Sequence, residues 1–206
     1  MSTQLHFEAT EPCDWPAALP ATRYRGFPVL QHRGDETTDP VASFARRFEL
    51  LDGEVGRTHA DDLSGFAWTM QSHAWRLFGR TERAAHRSLL YGLQGRAEAL
   101  WLPTGMDDLE VLETIGETAL TLTVVACGVT RSLRQQAGRR HVRIELVDGA
   151  VFHRAIEASN ELTLANGDLA ERLRLDAALG RTITPERVRL VSWLALVTLA
   201  GDTVEL

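Results

Sequence analysis

The stretch His141–Ile156, HVRIELVDGAVFHRAI, decides the fold class of this chain. Its first half alternates apolar and charged residues, and a second apolar run begins at Val151. Between them lies Asp148-Gly149, a dipeptide typical of tight turns because both residues tolerate unusual backbone angles. Two strand patterns around an Asp-Gly pair predict a β-hairpin. We therefore expect a fold built mainly from β-strands.

Downstream of the hairpin the same pattern continues. Asn160–Leu164 and Glu171–Leu175 are predicted strands, separated by a turn at residues 165–168. Val188–Leu199 is a predicted long strand with a tryptophan at its middle. A polar stretch at residues 127–140 precedes all of them, so we place a domain boundary there and expect residues 128–206 to form a smaller C-terminal β domain.

Upstream of that boundary, residues 41–127 are predicted to form a first β-rich domain. Ala119–Val125 is β-branched and alternating, and Phe66–Met70 alternates as well, so both are predicted strands. Ser43–Leu51 fits either a short amphipathic helix or a strand that ends in an Asp-Gly turn, and we favour the strand.

One short helix is predicted inside this first domain, within residues 81–94. Thr81 is a suitable N-cap, Glu82 lies in the first turn, and Gly95 can end the helix in a left-handed conformation. The apolar stripe of the helix comprises Ala85, Leu89 and Leu93. A strand at Ala97–Leu102 follows, and Pro103 ends it.

Residues 1–40 contain five of the seven prolines. Proline interrupts helices and is confined to the edges and ends of strands. We therefore expect an extended N-terminal arm, which in an assembly could lie on a neighbouring subunit.

Composition and charge narrow the range of functions. The chain has 206 residues, of which 44% are hydrophobic and 24% charged, as in ordinary globular proteins. Its net charge of -6 argues against nucleic-acid binding. We predict synthesis in the cytoplasm and no membrane insertion, since the sequence starts with no secretory signal and its longest apolar run is about half of a membrane span.

No recognised catalytic or metal-binding motif is present. The seven histidines show no metal-ligand spacing, and Cys13 and Cys127 are interpreted as unpaired, buried thiols. The carboxylate pairs Asp61-Asp62 and Asp107-Asp108 are interpreted as polar loop residues. We therefore expect no enzymatic activity, no catalytic residue, no cofactor and no metal. Two alternatives stay open: a carbohydrate-binding β module that uses exposed tryptophans such as Trp101 or Trp15, and a hydrolase that uses Asp107, Asp108 and a distant histidine.

Two short motifs carry a family resemblance. The first comprises Trp75, Arg76, Phe78, Arg80, Glu82, Leu89-Leu90, Gly95-Arg96, Leu100-Trp101-Leu102-Pro103-Thr104 and Asp108-Leu109. The second comprises Val191-Ser192-Trp193-Leu194 and Gly201-Asp202-Thr203-Val204-Glu205-Leu206. They resemble tail-tip proteins of long-tailed (siphovirus-type) bacteriophages, in which a short helix precedes "GR…FW.PTW..DL" and the chain closes on "R..SD.VEL". The similarity spans about residues 40 to 206, and it departs from the pattern at Gly105, where the family prefers tryptophan, and at residues 197–200, which lack an arginine.

The resemblance implies a structural protein of the distal tail or baseplate. Such proteins have a split-barrel or sandwich-like first domain followed by a second β domain. They form homo-oligomeric rings between the tail tube and the hub or fibres, so the expected location is the virion. The motif residues that the resemblance marks as structural or interface positions are Trp75, Arg80, Glu82, Arg96, Trp101, Pro103, Asp108, Trp193 and Asp202.

Overall fold

The computed structural model describes residues 15–35, 41–46, 48–51, 58–63, 65, 67–131 and 140–201. In chain order its strands are β1 Arg23–Tyr24, β2 Phe27–Pro28, β3 Val41–Ala45, β4 Phe48–Leu51, β5 His59–Asp62, β6 Trp68–Ser72, β7 Leu100–Pro103, β8 Thr121–Val125, β9 His141–Leu146, β10 Val151–Thr163, β11 Leu169–Leu175 and β12 Val188–Val197. The helix α1, Gly79–Leu93, lies between β6 and β7. Strands make up 42% of the structure and helix 13%, which confirms the predicted mainly β class.

The hairpin predicted around Asp148-Gly149 is confirmed. Strands β9 and β10 pair antiparallel, with Glu145 opposite Val151. Gly149 has a φ of 84°, a conformation that glycine adopts without strain, and the Asp148 carboxylate accepts the Ala150 N–H at 3.0 Å. The local sequence therefore forms the turn that it predicts.

These two strands lie at the centre of a six-stranded antiparallel sheet of order β7-β12-β9-β10-β11-β8. The two strands predicted at 151–156 and 160–164 are one strand, β10, with a bulge between Ile156 and Ala158. The first part of β10 pairs with β9 and the last part with β11. The bulge lets one strand serve two neighbours, because an extra residue locally bends a strand.

The core lies on one face of this sheet. Alternate residues of its strands meet apolar residues from the connections at 105–119 and 176–184, and all of them exclude water. The fully buried side chains of the cluster include Leu109, Ile115, Leu122, Ile144, Leu146, Ile156, Leu173, Leu175 and Ile183. At about 25 cal/mol per Å² of buried apolar surface, this cluster supplies the main stabilisation of the sheet.

The chain divides into two compact units, and the division differs from the predicted domains. One unit comprises Met1–Gln31 and Ala84–Leu206, and the other comprises His32–Arg83. The expected boundary at residue 127 falls inside the sheet, since β7 and β8 precede it and β9 to β12 follow it. The polar stretch at 127–140 connects two strands of one sheet, and the composition of a connection does not show which strands it joins.

The described part of the expected N-terminal arm belongs to the sheet unit. Strands β1 and β2 pair around Arg25 and Gly26, which both have positive φ values, as a tight hairpin turn requires. Val29 then forms a parallel bridge with Trp101. The Ala18 N–H donates to the Ser88 carbonyl of α1 at 3.0 Å. Residues 15–31 thus pack on their own chain.

The predicted helix is confirmed and begins slightly earlier than expected. Its start is fixed by the Glu82 carboxylate, which accepts the Phe78 N–H at 2.6 Å, and its end by positive φ values at Gln94 and Gly95. The predicted apolar stripe is correct at Leu93, which is buried, and wrong at the N-terminal half of the helix, where Ala85 is exposed. No helix in the described residues is long and apolar enough to span a bilayer.

The unit His32–Arg83 contains two antiparallel ribbons of two strands each. β3 pairs with β6 and β4 pairs with β5, so the β4–β5 ribbon is nested along the chain between the strands of the β3–β6 ribbon. We call residues 41–72 the hairpin arm. The strand interpretation of 43–51 is confirmed, and the predicted Asp-Gly turn at 52–53 lies outside the described residues.

Candidate functional site

The sheet face opposite the core carries an aromatic cluster around Trp101. The Trp101 ring is 5% exposed and packs beside Val29 and Leu194. Its Nε1–H donates to the Tyr24 carbonyl at 2.8 Å, and the Trp101 and His141 ring centroids lie 4.6 Å apart. The Tyr24 hydroxyl lies 3.1 Å from His141 Nδ1. Trp101 therefore anchors the β1–β2 hairpin on the sheet and is not a sugar-binding platform.

A buried polar row crosses the sheet beside this cluster. His153 of β10 and Ser192 of β12 lie on either side of Arg143 of β9 in register. Arg143 pairs with Glu145 at 3.1 Å, and Glu145 also pairs with Arg189 at 2.9 Å. A guanidinium in a sheet interior requires such a carboxylate, because an uncompensated buried charge is strongly destabilising.

The pKa of His153 reflects this setting. Burial, together with the smaller effect of the positive charges of Arg143 and Arg154, lowers its pKa from 6.5 to about 4. His153 Nε2 and the fully buried Ser192 Oγ have no hydrogen-bond partner among the described residues. The row is polar, yet it stays uncharged at His153 near neutral pH.

The Asp107-Asp108 pair has a structural role that its sequence does not show. The Val191 N–H donates to Asp107 Oδ1 at 3.0 Å, and the Trp193 N–H donates to Asp108 Oδ2 at 2.8 Å. The Thr104 hydroxyl also donates to Asp108. β7 ends at Pro103, and the two carboxylates satisfy the edge of β12 beyond it. The pair does lie in a loop, as interpreted, and in addition both carboxylates accept backbone N–H groups of β12.

Glu171 forms a second carboxylate site that sequence reasoning missed. Its side chain is fully buried and accepts four backbone N–H groups, at 2.7 to 3.1 Å, from Cys127, Gly128, Val129 and Thr130. Burial raises the pKa of Glu171, but these donors outweigh it, and its pKa is lowered overall. A helical turn begins at Val129, so the carboxylate caps its positive end.

The remaining predicted residues in and around α1 are dispersed. Trp75 is half-buried, and its Nε1–H donates to the His32 carbonyl at 3.5 Å. Arg80, Glu82 and Arg96 are exposed, with Glu82 fixing the start of the helix.

The other predicted positions belong to strands or lie beyond the description. Pro103 ends β7 opposite Leu194 of β12. Trp193 packs against the main core on the sheet face opposite Trp101. Asp202 lies outside the described residues. The prediction of buried thiols is wrong for Cys127, which is exposed in the connection after β8, while Cys13 lies outside the described residues.

The geometry gives neither alternative function a site. Within the described residues, no group of three histidine, cysteine, aspartate or glutamate side chains could hold a metal ion. Trp15 is half-buried, with its Nε1–H on Ser88 and the Arg87 guanidinium over its ring. The tryptophans suggested for sugar binding are thus used in packing, and the aspartates suggested for hydrolysis bind backbone amides.

The packing of the hairpin arm is not explained by contacts among its own described residues. No described side chain of the unit His32–Arg83 is buried. Several large apolar side chains of this unit are exposed instead: Phe44, Phe48, Leu50, Leu63, Met70 and Phe78. A two-stranded ribbon is marginally stable in water without a surface to pack on. The sequence signalled this arm only through strand alternation, which does not reveal whether either face is covered.

Comparison with known proteins adds no assignment. No protein-family model matches the sequence, and no curated protein matches it significantly.

Proposed function

We propose that this protein is a structural subunit of the tail tip or baseplate of a long-tailed bacteriophage, and that it assembles into a homo-oligomeric ring between the tail tube and the hub or fibres. The hairpin arm carries this proposal. An arm whose described side chains are all at least partly exposed is typical of a subunit that completes its packing against a neighbour. The motifs around α1 and β7 resemble those of tail-tip proteins, and this resemblance is the reason for proposing a tail-tip ring as the assembly. The location in the virion is part of the proposal.

The apolar side chains of the arm are positioned for such a contact. Phe44 and Leu50 are 71% and 67% exposed, in strands that lead out from the base of the arm. Burying a phenylalanine or leucine side chain contributes about 1.5 to 3 kcal/mol. Two such residues in each contact, repeated around a ring, give a sizeable part of the association energy.

The first test is the oligomeric state of the purified full chain. Light scattering after size exclusion should give a discrete oligomer, and negative-stain images should show rings. Serine at both positions, Phe44→Ser with Leu50→Ser, should shift the protein to monomer while its far-UV circular dichroism is kept. The matched control is Val147→Ser with Leu169→Ser, since these residues of the sheet unit are 68% and 69% exposed. The control variant should assemble as the wild type does.

The second test concerns the particle. Antibodies against the protein should label the tip of purified virions, and the protein should co-assemble with tail-tube or hub proteins. A wild-type chain that is monomeric at micromolar concentration and missing from purified virions would refute the proposal.

A further inference from the structure

One face of the β4–β5 ribbon, which we call the outer ribbon of the arm, is acidic. Glu49 of β4 lies directly opposite Asp61 of β5, so the two carboxylates project from the same face. Both are exposed, and neither forms an ion pair or hydrogen bond within the described chain. Opposed like charges destabilise a ribbon, so this face is stabilised when a cation covers it.

The neighbouring carboxylate, Asp62, is already satisfied. It points to the other face, opposite Phe48, where it pairs with Arg46 at 3.3 Å and accepts the Gly65 N–H at 3.2 Å. The unmet charge of the outer ribbon therefore resides at Glu49 and Asp61.

One side of α1 is basic. Arg80, Arg83 and Arg87 follow one another at spacings of three and four residues, which places them on one side of a helix. All three are exposed. Arg87 stacks on Trp15, whereas Arg80 and Arg83 form no ion pair within the described chain. Glu82, the single carboxylate in the helix, lies on another side and binds the Phe78 N–H.

We infer that the acidic face of the arm in one copy docks on the basic side of α1 in a second copy, an inference that rests on the ring assembly proposed above. The charges match in number, with two carboxylates for two guanidinium groups, and none of the four has an ion-pair partner among the described residues. Charge-assisted hydrogen bonds between carboxylate and guanidinium are among the stronger polar contacts in proteins.

The same contact is compatible with a ring. It uses the outer ribbon of one copy and the helix of the next, so it is heterologous, and a heterologous contact generates a ring when the rotation between copies closes. Along the chain, the inner ribbon β3–β6 separates the acidic pair from α1, and no ion pair joins the two patches within one copy. Both patches therefore stay available to neighbouring copies.

Charge reversal at either patch tests this contact. The arm variant Glu49→Arg with Asp61→Arg and the helix variant Arg80→Glu with Arg83→Glu should each raise the dissociation constant of the oligomer by at least about tenfold, as loss of complementary charge at an interface does. Both variants should keep the circular dichroism of the wild type. The matched control is Glu98→Arg with Glu117→Arg, two exposed carboxylates of the sheet unit, and it should assemble normally.

Recombining the reversed patches gives the decisive measurement. An equimolar mixture of arm and helix variants should assemble in alternation, because each basic arm then meets an acidic helix. A single chain with all four reversals should assemble by itself. Salt should dissociate the wild type and the four-reversal chain alike, since exposed charges are screened over about 10 Å at 0.1 M.

The outcomes separate this contact from the proposed function. A wild-type ring that tolerates both reversals would overturn the contact and leave the proposed function standing. Folded variants that lose assembly and do not recover it in the mixture would also overturn it. A monomeric wild type would remove the proposed function itself.

Discussion

The six-stranded sheet and the hairpin arm are built from the same kind of strand, yet among the described residues buried side chains occur in the sheet and not in the arm. In the sheet, Leu173 and Ile144 are fully buried between strands and connections. In the arm, Phe44 and Leu50 occupy similar strand positions and face solvent. Alternation of apolar and polar residues is therefore enough to form a strand, but the strand is stable only when another layer covers its apolar face. The connections of the sheet unit cover one face of the sheet, whereas we propose that a neighbouring subunit covers the arm.

The largest expected effect comes from the core of the sheet. Leu173→Ala should lower the free energy of unfolding by about 3 kcal/mol, because it removes buried methyl groups and leaves a cavity. Leu50→Ala in the arm should change it by less than about 0.5 kcal/mol in the monomer. Urea unfolding of both variants at low protein concentration measures the difference. Equal losses at the two sites would show that the arm has a core of its own.

A smaller effect is expected at the buried carboxylate of the sheet. Glu171→Gln should lower the free energy of unfolding by about 2 kcal/mol, since a neutral amide accepts the four N–H groups less strongly than a carboxylate. Glu161→Gln is a suitable control, because Glu161 is exposed and its ion pair with Arg131 lies at the surface. Urea unfolding at neutral pH should separate the two, and similar losses would contradict a capping role for Glu171.

The smallest of the three effects depends on pH. The folded pKa of His153 is lowered to about 4, below its usual 6.5, so the unfolded chain takes up a proton first as the pH falls. Stability from His153 is therefore complete above pH 6.5 and is lost as the pH falls toward 4. Between pH 7.5 and pH 5 the loss should be about 2 kcal/mol at most. His153→Gln should flatten this part of the pH profile, and a variant with an unchanged slope would contradict the assignment.

Much of the strand layout was predictable from local sequence. The β9–β10 hairpin, the helix near 81–94 and the strand that ends at Pro103 all depend on residues close together in the chain. Turn geometry and strand alternation are local effects, so nearby residue types carry them. The compact units differ from the predicted domain 41–127, because β7 and β8 take their partners from strands far along the chain, which local sequence does not show.

Local sequence also does not show which polar residues are buried or what they bind. Arg143 and Glu145 alternate with apolar neighbours and differ in no local way from a solvent-facing pair, yet both are buried, and Arg143 also donates to Gln31. Asp107 and Asp108 have the sequence of a polar loop and serve as acceptors for β12. Glu171 lies in an alternating strand, and only the return of the connection at 127–130 makes it a cap.

The sequence by itself determined that this chain forms strands, one short helix and an Asp-Gly hairpin, because backbone preference and turn chemistry act over a few residues. Only the tertiary structure decided which faces are covered, because burial depends on segments that meet from distant parts of the chain. In the tertiary structure Trp101 is buried, two aspartates accept N–H groups at the edge of a strand, and Phe44 and Leu50 are exposed to solvent. Those exposed side chains are the basis on which we propose a neighbouring subunit as the partner of the arm.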